Sequence, residues 1–226
     1  TQTTSYQSVS EIKRLFEDPD NAQLLQLDVS QQSGRGRYVE PSLQRPNFLQ
    51  EESQPTQAEI GTAVHYVLQN VVLSESVTAE KIDSLIHQLV SKGTIKENVG
   101  KRIDKQLILD FFETELGQRI QEHASLVQQE VPFTMLMKAG QIFEGIAPDS
   151  DDNLLIHGII DGFIEFDDHI ILFDFKTDYV GNKQDEIIAK YKGQMIVYRE
   201  ALEQIKQKKV TEAYICLLSA NQNILL

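Results

Sequence analysis

Cysteine is nearly absent: Cys216 is the single one in 226 residues. One thiol closes no intramolecular disulfide and builds neither a zinc nor an iron–sulfur site. Its place in the apolar run "AYICLL" predicts a buried core thiol, and the scarcity fits a reducing, cytoplasmic setting. Long apolar runs are missing too. No stretch approaches the ~20 residues that a membrane-spanning helix needs, so no membrane partner is expected. The opening residues "TQTTSYQSVSEIKRLF" carry no apolar segment after a basic start, which speaks against a signal peptide. They also lack an initiator methionine, which predicts a fragment or a processed chain. Basic residues are outnumbered 21 to 34, for a net charge of −13. That balance argues against a chain that grips nucleic acid unaided. A nucleic-acid role requires cations in an acidic site, or a partner that supplies the basic surface.

What is present suffices for one core of ordinary size, since 41% of the residues are hydrophobic. Ser8 and Glu11 read as a capping box opening an amphipathic helix over 8–27. From about 28 to 56 the pattern dissolves into a proline- and glycine-bearing arm or linker, for which Phe48 and Leu49 are candidate anchors. We therefore expect an N-terminal helix and arm over 1–55 and one domain over 56–226. In that domain Thr56 and Glu59 form a second capping box. Ile60, Ala63, Val64, Val67, Leu68 and Val71 follow at helical spacing. A second helix runs through "TAEKIDSLIHQLVSKG", with Gly93 as its stop. Residues 95–122 read as helical. The period then changes to two. Residues 125–138, 154–166 and 169–176 read as strands, the first flawed by Pro132, and the last two as a hairpin. A long amphipathic helix over 183–207 and a buried strand over 211–218 complete the order.

The hairpin carries an anomaly. Asp161 sits inside its first strand, and Asp174 and Lys176 inside its second, on otherwise apolar sequence. With a two-residue turn at Asp167-Asp168, Phe166 pairs with His169 and Asp161 falls opposite Asp174; a three-residue turn would offset them. Opposed carboxylates lie ~4.5–5.5 Å apart at Cβ and repel. Partial burial makes the repulsion worse. A divalent cation removes the problem, and oxygen ligands favour a hard ion such as Mg²⁺. The bland alternative is a surface hairpin with solvated acids. Lys176 shares the face of Asp174. His65 lies at the border of its helix's apolar face. Gly61, one turn earlier, costs ~1 kcal/mol in a helix interior, which suggests that something packs closely there. Gln194 and Tyr198 share a face of the long helix. Glu130, in "QQEVPF", is a strand acid. His87, His123, His157 and His169 read as structural or surface residues.

Taken together, "GTAVH", "GIID", "DFK" and "GQMIVY" resemble the RecB-type nucleases of the PD-(D/E)xK superfamily. "LQRPNFL" upstream adds a resemblance to the C-terminal nuclease domains of AddA/RexA-type helicase–nuclease subunits. The likeness covers roughly residues 40–220, and its motifs are specific in combination and weak singly. It implies a restriction-endonuclease-like α/β fold with an αβββαβ core and extra N-terminal helices. It implies a Mg²⁺-dependent DNA exonuclease or endonuclease, with Mn²⁺ able to substitute, that acts on a single strand fed from a helicase. The partner would be an AddB/RexB-like second subunit. By this resemblance Asp161, Asp174, His65 and the Phe175 carbonyl ligate the metal. Lys176 positions the attacking water or stabilises phosphate charge, Gln194 and Tyr198 position substrate, and Glu130 matches the family's strand glutamate. The relatives that hold an iron–sulfur cluster carry a cysteine set that this chain lacks. The alternative is an inactive domain of the same fold that binds DNA or a partner as a scaffold.

Overall fold

Residues 5–8, 54–138, 153–177 and 184–226 are described by a computed structural model of the chain. A reciprocal box opens the first helix, α1 (Gln57–Asn70): Thr56 accepts from the Glu59 amide, and the Glu59 carboxylate accepts from that of Thr56. The second, α2 (Ala79–Ser91), starts at a Thr78 cap and gives way to Gly93 at φ +74°, the left-handed backbone that glycine adopts without strain. The expected helical stretch over 95–122 is three helices, α3 (Glu97–Gly100), α4 (Lys105–Glu113) and α5 (Glu115–Glu122). Asp104 and Thr114 interrupt it, because their short oxygens take amide protons of the next turn, Gln106 and Gly117.

The strands are β1 (Ser5–Ser8), β2 (Val127–Lys138), β3 (Asn153–Glu165), β4 (His169–Lys176), β5 (Lys209–Leu217) and β6 (Gln222–Leu225), with the long helix α6 (Gln184–Lys206) between β4 and β5. They form one six-stranded sheet. β2 runs antiparallel along β3, β4 pairs antiparallel with β3 and parallel with β5, and β6 closes a hairpin on β5. Pro132 is tolerated because, among the described residues, β2 pairs with β3 alone and so lies at an edge. The αβββαβ order is present, with β1 and β6 as additions. β1 pairs in parallel with the start of β3 and ends at Ser8, where the sequence suggested a helix cap. The rest of that expected helix, and the arm after it, lie outside the described residues.

The sheet separates two apolar layers. Ile187, Tyr191, Met195, Tyr198 and Leu202 of α6 pack on one face with Phe133, Ile160, Phe163 and Leu172. Residues of α1 to α5 pack on the other with Ile164, Ile171, Phe173 and Phe175. Arg119 of α5 ties its layer to the sheet by gripping Glu212 of β5 with two hydrogen bonds, 2.8 and 2.9 Å. None of the described helices is long and apolar enough to cross a membrane.

One irregularity lies at the two strand acids, Glu130 and Asp161. Phe163 packs against α6 and so does Ile160, although three residues in a regular strand would put them on opposite faces. In β2, Val131 faces α6 while Val127 faces the other helices, again out of phase. Both slips fall at the same place. Gln129 pairs with Gly162 and Val131 with Ile160, so Glu130 stands opposite Asp161 with no residue inserted. Glu130 takes φ +52°, a conformation that costs an ordinary residue ~1–2 kcal/mol. The local flip turns the alternation over at the two acids.

Candidate active site

The β3–β4 hairpin has the two-residue turn: Phe166 donates to His169 across it at 2.9 Å, and Glu165 pairs with Ile170. In this register Asp161 and Asp174 stand opposite each other, one step beyond the final ladder pair, Gly162 with Phe173. Past that pair β3 and β4 part, while β4 stays paired to β5 through Lys176 and Leu217. The Asp161 carboxylate fills the opening by accepting from the Phe175 amide at 2.8 Å. In a strand the N–H and C=O of one residue face the same neighbour. The Phe175 carbonyl is therefore turned toward the opening as well.

His65 reaches the opening from α1. Its Nδ1 lies 3.5 Å from Asp161 Oδ2, and its ring meets the edge of Phe175, which packs in turn on Phe111 of α4. The close packing expected at Gly61 is against Thr177: a Cβ there would stand 2.5 Å from Thr177 Oγ1. The missing methyl lets α1 approach the end of β4, and His65 follows one turn later. Glu130 adds a carboxylate from β2. Ligand-type atoms of His65, Glu130 and Asp161 all lie within 4.8 Å of one another.

Asp174 is outside that trio. It is 1% exposed, and α6 holds it: Gln194 Nε2 donates to Asp174 Oδ1 at 3.3 Å and to the Tyr198 hydroxyl at 2.8 Å. Asp174 Oδ2 accepts no hydrogen bond of regular geometry, and its partner is the Lys176 ammonium, in close ion contact. Lys176 also lies 4.9 Å over the ring centroid of Tyr191. The sequence pattern marks Tyr191 only as a core residue, and nothing in the periodicity separates a ring that packs from a ring that also faces a cation. The contorted backbone of Glu130 likewise leaves no trace in the residue string. The other histidines stand apart from the trio. His169 stacks on Phe166 and His123 meets the same ring edge-on.

The electrostatics is that of a site short of positive charge. Burial pushes the Asp161 carboxyl up to about 8, and the Asp174 carboxylate adds to the effect. Burial likewise raises Glu130 and lowers His65, the latter opposed by Asp174 and helped by Lys176. Tyr198 is raised as well, by burial first and Asp174 second. Two carboxyls disposed to hold protons beside an imidazole disposed to stay neutral make a donor set that gains charge stabilisation from a cation. A neutral imidazole is also the form that ligates metal.

Residues 37–223 match the PD-(D/E)XK nuclease superfamily. Curated relatives include the A subunit of the ATP-dependent helicase/nuclease of Enterococcus faecalis, 40% identical over 97% of this chain. Its counterparts in Ligilactobacillus salivarius and Pediococcus pentosaceus are 37% and 41% identical over 99% and 97% of the chain. The chain spans 18% of the length of each of these relatives.

Proposed function

The chain belongs to the PD-(D/E)XK nuclease superfamily, and from that premise we propose that it is the Mg²⁺-dependent nuclease domain of an AddA-type helicase–nuclease, hydrolysing phosphodiester bonds in DNA at break ends. The observation that carries this reading is the convergence of His65, Glu130 and Asp161 within 4.8 Å, at the point where β3 and β4 part. Nucleases of this superfamily use divalent metal ions, and the trio fits one. Carboxylate oxygens and one imidazole are acceptable to Mg²⁺ and Mn²⁺, and the donors' own charges disfavour the empty ionised state. His65, Glu130 and Asp161 would hold the cation, with the Phe175 carbonyl and Asp174 Oδ2 beside them. Bound there, it would supply charge neutralisation at the scissile phosphate and a water of lowered pKa.

The chain's own groups have separable tasks. With a cation bound, Asp174 Oδ2 would be available to it in place of its contact with Lys176. The Lys176 ammonium, which can only donate, would then orient the attacking water or take a phosphate oxygen. Gln194 keeps Asp174 aimed while this happens, because its Nε2 grips Oδ1 and Tyr198 steadies the amide. Glu130 keeps a second carboxylate at the opening, where it can accept a proton from water.

The relatives are named as the A subunit of an ATP-dependent helicase/nuclease, which supports a helicase motor and a further subunit; we propose that the motor delivers a strand and that the partner is AddB/RexB-like. In such an assembly the neighbours carry the basic surface, which accommodates a domain with a net charge of −13. Cleavage of end-labelled single-stranded DNA with and without Mg²⁺ tests the proposal. Metal-dependent cleavage supports it. Binding of DNA without cleavage in Mg²⁺ or Mn²⁺ would establish the scaffold reading instead.

A further inference from the structure

Once Asp174 turns to a cation, Lys176 loses its counter-ion while keeping four rotatable carbons. It is the last residue of β4 and is 13% exposed. A free ammonium gains from swinging into water. The second partner that the described residues give it is the Tyr191 ring, 4.9 Å from Nζ to centroid. Tyr191 is fully buried on α6, in the layer that also carries Gln194 and Tyr198, so its ring has no room to follow a moving side chain. The face of an aromatic ring attracts an ammonium through its quadrupole, more strongly where water is excluded.

Resting on the catalytic reading above, we propose that Tyr191 is a positioning residue for the nuclease reaction: its ring face holds the Lys176 ammonium at the opening when Asp174 is engaged elsewhere. The attraction is independent of Asp174, which the ion contact is not. Lys190 also stands over this ring, at 5.1 Å, so a test must separate the two cations.

The experiment has two arms on the 226-residue chain. In the first, position 191 carries phenylalanine and then mono-, di- and trifluorophenylalanine, which drain the ring face at nearly constant volume. Tyr191→Phe restores the cleavage that Tyr191→Leu loses. The rate constant of bound substrate then falls stepwise with fluorination by roughly tenfold in all, within the range such contacts contribute. KM, Mn²⁺ affinity and melting temperature stay level, and Lys190→Gln leaves the series unchanged. A flat series overturns the proposal, and so does a slope that vanishes in Lys190→Gln.

The second arm needs no activity. The Lys176 side-chain methylene resonances, assigned by their loss in Lys176→Arg, are shifted upfield by the ring. They stay shifted at saturating Mg²⁺ and move downfield in Tyr191→Leu. Their return to ordinary values on adding Mg²⁺ overturns the proposal. A wild type that never cleaves, with the shift persisting, refutes the catalytic reading while retaining the ring's hold on Lys176.

Discussion

Gly61→Ala puts a single methyl between α1 and the end of β4. Its Cβ would stand 2.5 Å from Thr177 Oγ1, about 0.9 Å short of the 3.4 Å at which ordinary contact begins. Threonine is stiff about χ1, so the helix has to yield much of that distance. The stability terms nearly offset each other. Alanine recovers ~1 kcal/mol of helix propensity, and overpacking costs ~1–3 kcal/mol. The net loss is ~0–2 kcal/mol, at most about 4–8 °C of melting temperature in a chain of this size. Activity has no such compensation. His65 rides on the same helix one turn further on, 3.5 Å from Asp161, and a displacement approaching 1 Å at a reacting centre costs about 10²-fold in rate. Metal-dependent cleavage and thermal melting, measured on the same preparation, should show a large loss in the first and a small one in the second. The double variant Gly61→Ala/Thr177→Ala supplies the cross-check. Without Oγ1 the nearest remaining approach is to Thr177 Cβ at 3.6 Å, an ordinary contact, so most of the activity should return. Wild-type cleavage by Gly61→Ala, or a double variant no better than the single one, would refute the reasoning.

Asp174→Ala should abolish cleavage and also lower the melting temperature of the metal-free protein, because it strips the nearly buried Lys176 ammonium of its counter-ion, a loss that outweighs the relief of repulsion on Asp161; an unchanged melting curve by circular dichroism would contradict this. Lys176→Ala should also stop cleavage but keep Mn²⁺ affinity by calorimetry, since an ammonium is no ligand. Glu130→Gly should stabilise the metal-free chain by about 1 kcal/mol, because glycine adopts the φ of +52° without strain. It should weaken Mn²⁺ binding at the same time, and unchanged affinity would remove Glu130 from the site. For pH, the Arg119 guanidinium holds Glu212 down to about 2 from its ordinary 4.5. A depressed carboxyl contributes stability that is present above 4.5 and is lost as pH falls toward 2. At about 1.4 kcal/mol per unit the contribution is at most ~3 kcal/mol, and partial exposure reduces it to ~1–2 kcal/mol. Arg119→Ala should flatten the acid limb of a denaturation curve between pH 4.5 and 2, and an unaltered limb would show the clamp to be idle.

The hairpin was legible in the residue string because its apolar strands are regular and its turn is short, which fixes Asp161 opposite Asp174. The α1 stripe and the αβββαβ order were legible for the same reason. The helical stretch over 95–122 reads as continuous in the sequence, since the apolar pattern of Leu107, Ile108, Phe111 and Phe112 in α4 resumes past the Thr114 cap with Leu116 and Ile120 in α5. β6 is four residues long, too short for any period to register. At the site, the one-dimensional reading grouped His65 with both aspartates. The fold instead gathers His65, Glu130 and Asp161 and leaves Asp174 against Lys176. That difference arises from the parting of β3 and β4 and from the turned-over backbone at Glu130, and both are products of tertiary packing.

The central claim is that the opening between β3 and β4 is a divalent-cation site, and calorimetric titration of Mn²⁺ into the metal-free chain tests it most directly. The account predicts saturable binding with proton release near pH 7, because Asp161 holds its proton up to about 8 in the absence of metal. It also predicts that Asp161→Asn and His65→Ala each weaken the binding by at least tenfold while the fold stays intact. Mn²⁺ that does not bind, or that binds equally well to wild type and Asp161→Asn, would contradict the account at its foundation.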